Sequence, residues 1–135
     1  MARQAPSVVG AMSELAVATG LRKAGYEVFT PFFNAHSRID LVVERDGRLQ
    51  RLQVKTARLC AGTLVFATSS HTGNVERDYA GQVDAFGIHA PALDLIYVVP
   101  IEHVPLRAAR LRLEPTRNNQ AVGVRWAADY LVGPP

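Results

Sequence analysis

The chain has 135 residues, 48% hydrophobic and 20% charged, which fits one domain with a substantial core and excludes a disordered tail. No apolar run reaches the ~20 residues of a membrane span. The lone cysteine, Cys60, excludes an internal disulfide and a zinc site built on cysteines alone. The opening residues Met1 to Pro6 contain no apolar signal core, so a cytoplasmic chain is expected. Lys+Arg exceed Asp+Glu by 15 to 12, and 13 of the 15 are Arg. An arginine excess suits phosphate recognition, and it equally suits a genome rich in arginine codons.

In chain order, Ser7 to Ala24 reads as a helix, with Ser7 as N-cap, Arg22 and Lys23 in the last turn and Gly25 just past the end. Tyr26 to Phe33 reads as a strand, with Pro31 marking an edge or an end. Ile39 to Arg45 and Arg48 to Ala57 read as two strands joined by Asp46-Gly47, a strong hairpin signal. Thr63 to Thr68 is a further strand. Ser69 to Asn74 is polar and reads as a loop, and Glu76 to Phe86 as a short helix. Leu93 to Val99 is a strand ended by Pro100, Leu106 to Leu113 another, and Arg125 to Leu131 a short helix. The class is α+β, with a mainly antiparallel sheet.

A two-residue turn at Asp46-Gly47 makes Arg45 face Arg48, so paired positions sum to 93. Asp40 then lies across from Gln53, and Lys55 across from Arg38. Opposed residues share a face, and so do alternate residues on one strand. Asp40, Gln53 and Lys55 are thereby gathered on one face. A carboxylate and an amide carbonyl are hard oxygen ligands of the kind Mg²⁺ takes. A neighbouring ammonium can orient a water and stabilise charge on a phosphate. The same pattern also fits an ordinary hairpin with a solvated polar face. On the first helix, Glu14 is surrounded at helical spacing by Gly10, Val17, Ala18 and Leu21. A carboxylate buried there needs a partner from elsewhere, a metal or a lysine. The nearly all-round apolar helix argues for burial, whereas an Ala-rich exposed stripe would leave Glu14 in solvent.

Glu14, Asp40 and Gln53-Val54-Lys55, in this order, resemble the PD-(D/E)XK nuclease superfamily. More narrowly they resemble its branch of group I intron homing endonucleases, in which Gln occupies the usual acidic place. The resemblance runs in order through Gly10, Ser13-Glu14, Leu21, Gly25-Tyr26, Val28, Pro31, Ile39-Asp40-Leu41 and Leu52 to Thr56. It continues through Tyr79, Val83-Asp84, Tyr97 to Pro100, Asn118 to Gln120 and Trp126 to Tyr130. It implies an α/β/α restriction-endonuclease-like core, with a mixed sheet flanked by helices. It also implies roles: Asp40, Gln53 and Glu14 as metal ligands for Mg²⁺ or Mn²⁺, and Lys55 as the lysine that positions the attacking water. The implied reaction is hydrolysis of a DNA phosphodiester. Two departures stand out. Ile39 replaces the proline of the motif, and Gln53 removes one negative charge from the metal site.

For the DNA, Arg107, Arg110, Arg112, Arg117 and Arg125 oppose only Glu114 over residues 107–125. Arg110 and Arg112 share a strand face, a ribbon able to track phosphates. Arg117, Asn118, Asn119 and Gln120 can contact phosphate or bases, and the same residues also suit a polar turn. Arg38 and Arg58 flank the hairpin site as phosphate contacts. The four histidines show no metal-ligand spacing. Ser69-Ser70-His71-Thr72-Gly73 reads as a loop, able to lie over a substrate. Tyr79 and Asp84 are expected to have structural roles, or to support the site.

The expectation is one metal-dependent DNA endonuclease domain over residues 1–135. It would act on double-stranded DNA as a homodimer or homotetramer, because one site cannot cut both strands. Other readings are a Holliday-junction resolvase or a defence or repair nuclease of the same fold. A DNA-binding module silenced by Gln53, or a small cytoplasmic domain with a merely solvated hairpin, would also account for these residues.

Overall fold

The computed structural model describes residues 3–72, 75–79, 81–115, 118 and 123–133, and of residues 70–78 the backbone. The elements run α1 (Pro6–Lys23), β1 (Glu27–Phe29), β2 (Leu41–Arg45), β3 (Arg48–Thr56), β4 (Arg58–Cys60) and β5 (Thr63–Ala67). They continue with β6 (Ser69–Thr72), β7 (Val75–Asp78), β8 (Ala85–Ala90), β9 (Leu95–Pro100) and β10 (Ala108–Arg112). Single turns of 3₁₀ helix lie at Ile101–His103 and Ala127–Tyr130.

Helix α1 starts one residue before the expected cap. Ala5 is the N-cap and Pro6 opens the helix, where its fixed φ is already helical and its missing N–H costs no bond. Arg22 and Lys23 in the last turn meet the negative end of the helix dipole. Gly25, at φ +102°, turns the chain away. The buried face is narrow: Ser13, Val17 and Leu21 form a single stripe. Val8, Met12 and Leu15 are exposed, so the apolar helix is covered on one side only.

The main sheet has the order β1-β2-β3-β8-β9. Asp46 and Gly47 both have positive φ, +54° and +80°, the conformation of a type I′ turn, which matches the twist of the flanking strands. The register is the expected one, from Arg45 opposite Arg48 to Leu41 opposite Leu52. Strand β1 is only three residues long and lies on the edge beside β2, ending before Pro31. β3 pairs in parallel with β8, and β8 is antiparallel to β9.

Two sequence expectations fail here. Ser69 to Thr72 is not a loop: β6 pairs antiparallel with β7, while Gly73 and Asn74 lie outside the described residues. Among the described residues Glu76 to Phe86 contains no helix: β7 runs to Asp78 on one side and β8 begins at Ala85 on the other. β8 is buried at all six positions, so it shows no polar alternation to mark it. Gly87 in its middle has a packing reason. A Cβ there would lie 2.8 Å from Val17 Cγ1, so glycine lets α1 settle onto the sheet.

The two faces of the sheet carry separate cores. Leu41, Val43, Leu52, Val54 and Ala85 pack with Val17 and Leu21 of α1. Phe86, Ile88, Tyr97 and Val99 pack on the opposite side with Leu64, Phe66, Ala109 and Leu111. Those last four belong to a second sheet of order β10-β5-β4. The class is α+β with a mixed sheet, as expected, but among the described residues the second face is covered by this small sheet where a helix layer was expected. No helix among the described residues is long and apolar enough to cross a membrane.

Candidate active site

The hairpin ladder stops at Leu41 opposite Leu52, and Asp40 stands at its mouth. The Asp40 backbone N–H donates to Leu52 O at 2.9 Å. Its carboxylate Oδ2 accepts the Val54 N–H at 2.8 Å. The aspartate thus replaces a neighbouring strand's carbonyl and is fixed against the backbone of β3.

Glu14 comes to the same place from α1. The helix is clamped in rotation by buried Ser13, whose Oγ lies 2.6 Å from Thr56 Oγ1 and 3.1 Å from His89 Nδ1. Burial lowers the His89 pKa, so the ring stays neutral. With Ser13 held, Glu14 one residue on reaches the edge of the sheet and hydrogen-bonds Asp40. Desolvation first, then that bond and the charge of Asp40, push the Glu14 carboxyl up to about 7. The side chain is nonetheless exposed rather than buried as the apolar helix suggested. It opens into a cleft of about 470 Å³ lined by Ala11, Glu14, Leu15, Thr30, Asn34 and Asp40, among others.

Gln53 and Lys55 project from β3 on the face away from α1, since Leu52 and Val54 between and beside them pack on the helix. Gln53 Oε1 is buried without a hydrogen-bond partner, which is costly for an amide oxygen. Lys55 Nζ donates to Tyr79 Oη at 3.0 Å and lies 4.7 Å from the ring centroid. Tyr79 is 4% exposed and is steadied by an edge contact with Phe86. The Arg38 guanidinium lies 3.8 Å from the same ring centroid. Arg38 and Lys55, expected opposite one another, therefore meet on one tyrosine. Asp84 acts elsewhere: it binds Arg51 through the backbone N–H at 2.7 Å and the guanidinium at 3.0 and 3.1 Å. That pairing holds its pKa below the usual carboxylate value.

Of the basic residues, Arg58 and Arg110 are exposed and lie in one cross-strand row on either side of Val65. Arg112 shares their face and is drawn in to Thr63 Oγ1 at 3.0 Å. Asn118 is exposed, while Arg117, Asn119 and Gln120 lie outside the described residues. Sequence reasoning missed the Ser13 clamp; a serine within an apolar stripe was the available signal.

No group of three His, Cys, Asp or Glu side chains able to hold a metal occurs among the described residues. The oxygen donors are instead two adjoining carboxylates and a partnerless amide oxygen. The two carboxylates fit a hard cation, which would relieve the repulsion between Glu14 and Asp40; Gln53 Oε1 is a further hard oxygen left without a partner.

Comparisons with known proteins bear on the family and the fold. The family model described as PD-(D/E)XK endonuclease matches residues 5–132. A 50-residue stretch, 37% of the chain, is 48% identical to Protein 5.3 of Escherichia phage T7 and spans 42% of that protein. The solved structure of a bacterial homing endonuclease, I-Ssp6803I, superposes with a TM-score of 0.75 over 95% of this chain and 89% of that one, at 21% identity, which speaks for the fold. With its aspartate at the mouth of a hairpin and its Gln-Val-Lys on the adjoining strand, this chain belongs to the PD-(D/E)XK endonuclease family, a family of nucleases.

Proposed function

We propose that the protein is a divalent-metal-dependent DNA endonuclease of the homing-endonuclease type. The observation that carries this reading is the pair of carboxylates in contact at the cleft, Glu14 and Asp40; Gln53, on the strand that holds Asp40, adds a buried amide oxygen with no hydrogen-bond partner. Asp40, Gln53 and Glu14 would hold Mg²⁺ or Mn²⁺. The cation would supply Lewis acidity toward the scissile phosphodiester.

The remaining work falls to the chain's own groups. Lys55 has three N–H donors, and one is spent on Tyr79 Oη. The other two can orient the attacking water in line with the leaving oxygen and oppose the charge that grows on the phosphate. Val54 N–H fixes the Asp40 carboxylate, so it need not reorganise during the reaction. Arg58 and Arg110 offer an exposed basic row for the duplex backbone. The described residues of each chain carry one such site, so cutting both strands calls for a homodimer or homotetramer.

The test is cleavage of supercoiled plasmid and of branched DNA in Mg²⁺, Mn²⁺ or EDTA, with Asp40→Ala and Lys55→Ala alongside. Cutting that requires metal and is lost in both variants is the expected result. Metal-independent cutting, or cutting that survives Asp40→Ala, refutes it. Salt-sensitive DNA binding without any cleavage would identify a silent binding module instead.

A further inference from the structure

The turn between β1 and β2 carries Phe32 and Phe33, which are 91% and 85% exposed. Their rings meet edge to face with centroids 5.0 Å apart and planes at 80°. Each phenylalanine presents on the order of 150–250 Å² of apolar surface, so leaving two together in water is unfavourable unless something covers them. The backbone beneath them is fastened. Ser37 N–H donates to Asn34 O at 3.2 Å, and the Ser37 hydroxyl donates to Ile39 O at 2.8 Å while accepting the Ile39 N–H at 3.2 Å. The aromatic tip is thus mounted on a defined loop.

Its position gives it meaning. Thr30 and Pro31 on one side of the pair, and Asn34 on the other, line the cleft that holds Glu14 and Asp40. Any phosphate entering that cleft brings its own bases to the loop. A second copy of the chain is a poor occupant. Two adjacent rings offer at most about 500 Å², whereas a stable interface takes about 600–1,000 Å² from each partner, and exposed Asn34 and His36 follow the pair.

We propose that Phe32 and Phe33 form a wedge that enters the base stack of the DNA beside the scissile phosphate. By unstacking one step, the wedge sets the position of the backbone in the cleft and makes the protein selective for DNA that opens easily at that step. This rests on the nuclease reading above. The cost of unstacking falls at a mismatched or abasic position, so the wedge has a direct signature in affinity.

The experiment compares two 30-base-pair duplexes of the same sequence, one fully paired and one with a central abasic site. Binding is measured by fluorescence anisotropy at roughly 50 mM salt in EDTA. The wild type should bind the abasic duplex about tenfold more tightly. A double variant, Phe32→Ala with Phe33→Ala, should lose that preference while keeping its affinity for the paired duplex within about twofold. Phe32→Leu with Phe33→Leu, which keeps apolar bulk without aromatic faces, should retain only part of it. Both exchanges are at exposed positions, and an unchanged thermal midpoint confirms folding. A preference that persists in the alanine variant overturns the wedge. So does a variant that changes oligomeric state while still favouring the abasic duplex, because that assigns the pair to a contact between chains. A wild type that binds the paired duplex but shows no preference also removes the wedge and leaves the nuclease reading standing. A wild type that binds neither duplex removes both.

Discussion

Replacing Glu14 by glutamine should change how stability depends on pH, in a direction set by the contact with Asp40. The Glu14 carboxyl titrates near 4.5 in an unfolded chain and at about 7 in the fold. Its folded pKa is raised, so the folded state holds the proton to higher pH than the unfolded state does. Stability is therefore greatest below the unfolded value, declines as pH rises through the interval, and levels off above the folded value. One pKa unit corresponds to about 1.4 kcal/mol, so the full shift would be worth about 3 kcal/mol. Glu14 is exposed, and solvent screening reduces the expected effect to about 1 kcal/mol. Glutamine is uncharged at every pH and can still donate to Asp40. Urea unfolding in EDTA at steps from about pH 4.5 to about pH 8 measures the effect. The variant should gain about 1 kcal/mol over the wild type across that range. Mg²⁺ added at the upper end should stabilise the wild type more than the variant, since the proposed cation site uses the carboxylate. Parallel profiles for the two proteins, with or without Mg²⁺, would refute the Glu14–Asp40 coupling.

Other consequences can be checked separately. Tyr79→Phe keeps the ring between Arg38 and Phe86 but removes the oxygen that receives Lys55. Single-turnover cleavage should slow about tenfold with little change in DNA affinity, whereas Lys55→Ala should cost about a hundredfold or more. Arg58→Ala and Arg110→Ala should each reduce the slope of log affinity against log salt by about 1, equally for unrelated duplex sequences. Gly87→Ala forces a methyl to 2.8 Å from Val17 Cγ1 and should destabilise by about 1–3 kcal/mol in urea; an unchanged midpoint would show that α1 can yield.

The hairpin was readable because its information is local. Asp46-Gly47 supplies the positive φ values, and the turn then fixes every pairing back to Leu41 and Leu52. One residue beyond that register, Asp40 stands beside β3, where its carboxylate accepts the Val54 N–H. β8 was not readable for the opposite reason. Its identity depends on being covered from both sides, and Gly87 and His89 make sense only beside Val17 and Ser13 of a distant helix. Strands β6 and β7 were hidden by their polarity, since a polar run without apolar alternation reads as a loop. For Glu14, helical spacing found the lack of local partners and identified the need for a distant one. It could not distinguish a buried carboxylate from one opening into a cleft, since that depends on where the hairpin ends.

The parallel pairing of β3 with β8 also bears on how the molecule comes to fold. The β2–β3 hairpin closes across a two-residue turn, an event on the microsecond scale. Leu52 and its partner Ala85 are separated by the whole of β4 to β7, so β8 joins through a long loop whose closure entropy must be met first. Until it arrives, β3 is an open edge. Tyr79 lies within that intervening stretch, so the lysine of the hairpin has no tyrosine beside it during the interval. In a refolding experiment, recovery of nuclease activity should follow the slow docking of β8 and lag behind the early hairpin.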